Sequence, residues 1–98
     1  MTEDIIERYE FSTSDMAANE FVYNTEEGVF DAEIVMKAWG KMQILRVFFF
    51  FSDGRKIIAP VYKWQRYLGF CETPSGSKVR LTYTKVKDGT YLTAMELL

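Results

Sequence analysis

The 98-residue sequence contains no histidine and a single cysteine, Cys71, and these absences exclude several kinds of site. A zinc site of the usual kind needs about four Cys or His ligands. A Ser-His or Cys-His nucleophile pair needs an imidazole as its base, and one cysteine cannot form an intramolecular disulfide. We therefore expect a protein that is not an enzyme and that uses no metal or other cofactor.

Long apolar runs are also absent. The longest, Val47 to Phe51, is far shorter than the ~20 residues that span a bilayer. The N-terminal MTEDIIERYE is charged from its third residue, unlike a secretory signal. With 48% hydrophobic and 16% aromatic residues, the composition is typical of one globular domain. We expect a soluble, cytoplasmic protein without a membrane partner.

Charge is divided unequally along the chain. Residues 1–33 hold ten acidic side chains and one basic one, a net charge of −9, whereas residues 34–98 hold eleven basic and four acidic ones, a net charge of +7. This asymmetry favours a basic surface for an anionic partner, although the two parts could also simply neutralise each other. The pattern divides the chain into an acidic arm, 1–28, and a β-rich region, 29–98.

The acidic arm allows two arrangements. Ile5 to Phe11 alternates like a strand, and Met16 to Phe21 follows several N-cap candidates and could form a short helix. An ordered arm could add a strand to the core or pair with a second copy in a homodimer. A mobile arm could instead place its carboxylates in a basic groove and compete with nucleic acid.

Period-two alternation from Val29 to Trp39 predicts a half-buried first strand. Its predicted inner face consists of Phe30, Ala32, Ile34, Met36 and Ala38, with Lys37 and an exposed Trp39 on the outer face. A second strand is predicted from Gln43 to Ser52. Because Phe48 to Phe51 are consecutive, this strand places aromatic rings on both faces, of which one face must belong to the core.

The remaining elements follow from turn and helix signals. Asp53-Gly54 predicts a hairpin into a third strand, Arg55 to Tyr62, in which Pro60 indicates a sheet edge or a bulge. Lys63 to Cys71 has the spacing of a short amphipathic helix, and we expect its Trp64 and Tyr67 to seal the end of a barrel. Two last strands, Lys78 to Lys87 and Thr90 to Leu98, surround Asp88-Gly89.

The order strand, strand, strand, short helix, strand, strand over residues 29–98 resembles the OB-fold of small single-stranded-DNA-binding proteins. An SH3-like barrel or a curled α+β sheet would give a similar string. The resemblance implies a mainly β fold, a small five-stranded barrel with one short helix between the third and fourth strands. It also implies a binding surface on the second and third strands and on the loops after the first and fourth.

On this surface the sequence supplies basic and aromatic residues, which favours binding of single-stranded nucleic acid by phosphate neutralisation and base stacking. The predicted nucleic-acid-binding residues are Lys37, Trp39, Lys41, Arg46, Phe48, Phe50, Arg55, Lys56, Tyr62, Lys85 and Lys87. The alternative is a protein-interaction module, such as a small regulator or inhibitor of a larger enzyme. It would use the Phe-rich face or the acidic arm.

Overall fold

The computed structural model describes residues 7–8 and 20–98. The strands are β1 (Glu7–Arg8), β2 (Gly28–Trp39), β3 (Leu45–Phe51), β4 (Lys56–Val61), β5 (Lys78–Val86) and β6 (Gly89–Leu97). Two 3₁₀ segments, η1 (Lys41–Gln43) and η2 (Lys63–Glu72), follow β2 and β4. The remainder of the strand predicted from Ile5 to Phe11, and most of the helix predicted from Met16 to Phe21, lie outside the described residues.

Five antiparallel strands form one sheet in the order β4-β3-β2-β5-β6, and β1 pairs in parallel with the end of β2. The mainly β fold and the predicted sequence of elements are therefore confirmed. The outer strands β4 and β6 are not hydrogen-bonded to each other, so the sheet formed by the described residues is not closed into a barrel. Neither helical segment among these residues is long and apolar enough to cross a membrane.

One face of the sheet carries the main core, and a smaller cluster covers part of the other face. The main core consists of Ala32, Ile34, Leu45, Val47, Phe49, Phe51, Ile57, Ala59, Val61, Phe70, Val79, Leu81, Tyr83 and Leu92. In the smaller cluster, Phe48 is fully buried beneath Phe21, with an edge-to-face contact between rings 5.1 Å apart. The second strand is thus covered on both faces, and within the Phe48–Phe51 run Phe50 is the exposed ring, at 45%.

A β-bulge at Val35 interrupts the alternation of β2. Before it Ile34 lies opposite Phe49, and after it Met36 lies opposite Phe48. Because side chains alternate with a period of two, one extra residue moves every following side chain to the opposite face. The sequence does not reveal this bulge, since Val35 is as apolar as its neighbours.

The bulge corrects the predicted faces of four residues. Met36 and Ala38 were expected in the core, but they belong to the smaller cluster on the opposite face. Lys37 and Trp39 were expected to face outward, yet Lys37 is 1% exposed and Trp39 packs against the main core. The prediction that these two share a face is correct, but the face is the inner one.

Strand β4 is an edge strand whose outer side is partly covered by the backbone at Val22. The Val22 N–H donates to the Lys56 carbonyl (3.1 Å), and the Ile58 N–H donates to the Val22 carbonyl (3.0 Å). The backbone nitrogen of Pro60, two residues later, faces the same outer side of β4 as that of Ile58. Its missing N–H therefore removes no hydrogen bond between β4 and β3. This placement agrees with the edge position that the proline predicts.

The segment η2 is not the regular amphipathic helix that the spacing predicts. Arg66, Tyr67 and Leu68 have φ values of 54°, 53° and 52°, in the left-handed region, and Gly69 continues the turn at 80°. Left-handed backbone costs ~1–2 kcal/mol for each non-glycine residue. Because the handedness reverses, the residues predicted to share one apolar face do not share it. Tyr67 and Leu68 pack on the core, whereas Trp64 is 80% exposed.

Candidate functional site

The gap between the outer edges of β4 and β6 forms a cleft of about 610 Å³, here called the seam cleft. This volume falls within the range of small-ligand sites. The lining residues are Tyr23, Asn24, Thr25, Ile58, Ala59, Pro60, Tyr62, Trp64, Gln65, Tyr83, Val86, Thr90, Tyr91, Leu92 and Thr93. Five of them are aromatic, so the wall offers flat apolar surfaces with a few polar groups between them.

Two stacked rings form one side of the seam cleft. Tyr62 and Trp64 lie with ring centroids 6.2 Å apart and planes 11° from parallel. Trp64 is 80% exposed, and across the gap Tyr91 is 38% exposed. A large aromatic ring left this open to solvent is available for stacking against a planar ligand.

Gln65 fixes this end of the seam cleft. Its side-chain oxygen accepts from the Tyr62 N–H (3.2 Å), and its amide nitrogen donates to the Leu92 carbonyl on β6 (3.2 Å). The start of η2 is thereby tied to the opposite edge strand. Beyond it, the Tyr67 hydroxyl donates to the Gln43 carbonyl (2.9 Å), which links the left-handed turn of η2 to η1.

The other end of the seam cleft is crossed by residues 20–27, here called the strap. Its Val22 backbone pairs with β4, while Thr90 on β6 donates through its hydroxyl to the Thr25 carbonyl (3.2 Å). The Glu27 carboxylate accepts from the Lys85 N–H (2.9 Å). The strap therefore connects β4 to the β5–β6 hairpin where the sheet itself does not close.

The strap also brings acidic groups to two residues that were predicted to bind nucleic acid. Glu20 pairs with the Lys56 ammonium at 2.9 Å, and Glu26 pairs with the Arg55 guanidinium at 3.1 Å. Arg55 makes a further ion pair with Asp53 at 2.9 Å. The pKa of the Asp53 carboxyl is lowered mainly by the hydrogen bond from the Arg55 backbone N–H and further by the hydrogen bond from the Arg55 guanidinium. Arg55 and Lys56 are thus already neutralised by carboxylates of the protein itself.

Tyr83 occupies the wall of the seam cleft with a buried hydroxyl. The residue is 4% exposed, and its hydroxyl oxygen has no hydrogen-bond partner among the described residues. Burial raises the pKa of this phenol, so it remains protonated across the physiological range. Tyr83 therefore holds a proton donor that no described protein group accepts.

Three lysines are sequence neighbours of residues that line the seam cleft. Lys63 precedes Trp64, and Lys85 and Lys87 lie on either side of Val86, which lines the cleft. All three are exposed, and none forms an ion pair with the part of the chain that the structure describes. They remain available to an anionic ligand.

The predicted binding residues are dispersed. Tyr62 lines the seam cleft, and Lys85 and Lys87 are the sequence neighbours of Val86, which also lines it. Lys41 is exposed on η1, and Arg46 and the half-exposed Phe50 lie on β3. Phe48, buried completely, lies on a covered face and presents no ring to solvent. The predicted surface is therefore not one continuous patch.

Lys37 corrects the prediction most clearly. Its ammonium nitrogen donates to the Phe70 carbonyl (2.8 Å) and the Thr73 carbonyl (2.6 Å), both near the end of η2. A buried cation is tolerated when it is hydrogen-bonded in this way. Lys37 thus fastens η2 to the sheet and does not face a ligand at the surface.

Sequence reasoning missed Trp64, Tyr91, Tyr23 and Tyr83. The spacing that placed Trp64 on a helix assumed right-handed backbone throughout, and the left-handed turn at Arg66–Gly69 invalidates that assumption. The tyrosines come from three separate segments, which only the sheet order brings together. The one usable signal was the Tyr62-Lys63-Trp64 triplet, which begins two residues after the edge proline.

No group of three or more potential metal-ligating residues occurs among residues 7–8 and 20–98. Comparison of the chain with protein-family models, with curated proteins and with solved structures found no match.

Proposed function

We propose that this protein binds single-stranded nucleic acid, with the seam cleft as its stacking site. The observation that carries the proposal is the stack of Tyr62 with the exposed Trp64 in the wall of the cleft. Lys63, Lys85 and Lys87 are sequence neighbours of lining residues, are exposed, and form no ion pair with the described residues. Stacking rings next to a basic rim is the combination by which proteins bind single strands without reading their sequence. The sequence predicts the site on the second and third strands and the loops after the first and fourth, whereas we centre it on the cleft between the outer edges of β4 and β6.

The energetic roles of the two parts differ. A base stacked on an aromatic side chain contributes ~1–3 kcal/mol, with little dependence on which base it is. Lysines that neutralise phosphates release condensed counterions, so their contribution declines as salt rises, with a slope of ~0.7 per phosphate for single strands. We therefore expect Trp64 to determine affinity at all salt concentrations, and the rim lysines to determine its salt dependence.

The strand arrangement supports the OB-like part of the proposal. The helical segment lies between the third and fourth long strands, and an OB-fold is itself a partly open five-stranded barrel. OB-folds bind oligonucleotides beside their second and third strands and the last hairpin loop. The seam cleft adjoins the third long strand, β4, and the β5–β6 hairpin, which carries Lys85 and Lys87.

The test is a fluorescence titration with a short oligo-thymidine in the Trp39→Phe background, where Trp64 is the remaining tryptophan. We expect saturable quenching at low salt that is reversed by added salt. Trp64→Ala in the wild-type background should weaken binding about 5- to 100-fold, corresponding to the loss of one stacked base. Its unfolding free energy should change little, because the ring is 80% exposed.

Phe50→Ala is the matched control, since Phe50 is the exposed aromatic ring of the face that the sequence favours. Equal affinity of Phe50→Ala and the wild type, with a loss in Trp64→Ala, supports the seam cleft. The reverse result would return the site to β3. Absence of binding at both low and moderate salt would refute the nucleic-acid proposal altogether.

A protein partner is the second candidate, favoured by the outer edge of β6, which pairs with no further strand among the described residues and lies beside an apolar cleft. An extended peptide can add to such an edge through main-chain hydrogen bonds. The homodimer and the regulator or inhibitor role remain predictions of this kind. A flat oligonucleotide titration together with a dimer in analytical ultracentrifugation would favour self-association over nucleic-acid binding.

A further inference from the structure

Two buried polar atoms near the strap lack a hydrogen-bond partner among the described residues. They are the Tyr83 hydroxyl oxygen and the Arg55 Nη2. Burying a donor without an acceptor costs stability, and nearly all buried polar groups in proteins are paired. Two such groups in one region therefore call for a common explanation.

The two groups belong to the same cluster of side chains. The Arg55 guanidinium carbon lies 5.3 Å from the Phe30 ring centroid and 5.2 Å from that of Phe51. The Tyr83 ring lies 5.9 Å and 6.3 Å from the same two rings. Asn24 connects this cluster to the cleft, because it accepts from Arg55 Nη1 (3.3 Å) and lines the cleft together with Tyr83.

The chemistry of the cluster selects a neutral acceptor. Both unpartnered groups donate, since a guanidinium has no acceptor and the buried phenol keeps its proton. A phosphate is disfavoured here, because Arg55 is already paired with Asp53 and Glu26, two negative charges for one positive charge. A carbonyl oxygen can accept from such a donor without adding charge.

We propose that the strap end of the seam cleft is a subsite for the carbonyl oxygen of one inserted base, with the Tyr83 hydroxyl as its donor. The inference rests on the proposed function and specifies the orientation of the bound strand. Its bases point into the cleft, and its phosphates lie toward Lys63, Lys85 and Lys87. Since the Tyr83 hydroxyl is shielded from solvent, the base reaches it as the strap moves outward, which breaks the hydrogen bond from Thr90 to Thr25.

This orientation gives a base preference. Thymine and uracil carry ring carbonyls, whereas adenine offers only ring nitrogens as acceptors. Stacking alone would treat these bases similarly. We therefore expect oligo-thymidine to bind more tightly than oligo-adenosine of equal length, and this difference should depend on Tyr83.

The test compares Tyr83→Phe with the wild type in the oligo-thymidine titration, with Tyr67→Phe as the matched control. Tyr83→Phe keeps the ring and should weaken binding about three- to tenfold, the effect of one neutral hydrogen bond. It should not lower stability, because the hydroxyl has no described partner. Tyr67 does not line the cleft, and its hydroxyl donates to the Gln43 carbonyl (2.9 Å), so Tyr67→Phe should change affinity less than twofold.

A nonpolar isostere tests whether the hydrogen bond is direct. Replacing each thymine in turn by difluorotoluene, which lacks the carbonyls, should weaken wild-type binding at one position and leave Tyr83→Phe unaffected there. If Tyr83→Phe binds as tightly as the wild type, the subsite is wrong and the stacking proposal stands. If the wild type does not bind oligo-thymidine at all, the proposed function fails and the subsite with it.

Discussion

Strand β3 and the seam cleft use aromatic residues in opposite ways. Phe48, Phe49 and Phe51 are at most 3% exposed, because a layer of side chains covers each face of β3. Trp64 and Tyr23, at 80% and 61% exposure, lie where the two edge strands fail to meet. The comparison teaches that a run of aromatic residues does not by itself mark a binding surface. What matters is whether a second layer packs on it.

The largest loss in the free energy of unfolding is expected for Phe49→Ala, which tests the burial of β3. Phe49 is fully buried in the main core and makes an edge-to-face contact with Phe70, with rings 5.6 Å apart. Truncating a buried Phe typically costs ~3–5 kcal/mol, through lost burial and the cavity that remains. Urea denaturation should show this loss, whereas the partly exposed Phe50→Ala should cost clearly less. Equal losses at both positions would contradict the assignment of the two faces.

The next largest effect is expected for Lys37→Met, which removes the cation that holds η2 to the sheet. The Phe70 and Thr73 carbonyls lose a charged donor, and we expect a loss of roughly 2–4 kcal/mol in the free energy of unfolding. Lys41→Met, on an exposed residue, is the control and should remain within ~0.5 kcal/mol of the wild type. A wild-type stability for Lys37→Met would show that the apolar stem, and not the ammonium, fastens η2.

The smallest effect concerns an exposed ion pair across β2 and β5. The Arg80 guanidinium donates to Asp31 (2.9 Å) and holds the pKa of this carboxyl below its ordinary value of 3.8. Asp31 therefore binds its proton more readily in the unfolded chain than in the folded protein. The ion pair stabilises the fold above about pH 4, and this stabilisation is lost as the pH falls through the lower pKa that Asp31 has in the folded protein. The stability difference between wild type and Asp31→Asn should therefore shrink on acidification. A difference that is constant with pH would count against the pair.

Much of the fold was predictable from local patterns. The predicted strands agree with the observed ones within about two residues at each end, because alternation and the Asp53-Gly54 and Asp88-Gly89 turns are local signals. Val79, Leu81 and Tyr83 recur at every second position of β5 and are all buried, as this spacing indicates. The bulge at Val35 was not predictable, since it is decided by pairing with β3 and no local residue marks it.

The candidate site was far less predictable than the fold. Its aromatic residues come from the strap, from η2 and from the last hairpin, and the sheet order alone brings these segments together. The environment of each lysine was equally hard to predict, because nothing in the sequence distinguishes Lys37 from Lys85. One is buried against carbonyls, and the other is exposed beside the cleft.

By itself, the sequence determined the mainly β class, the order of elements, the hairpin turns and the separation of charge, since each follows from residues that are close along the chain. Only the tertiary structure decided which face of β2 is buried after Val35, that η2 reverses its handedness, and that β4 and β6 leave a gap. These features depend on contacts between distant segments. Their free energies outweigh local preferences, as the left-handed backbone of Arg66, Tyr67 and Leu68 illustrates.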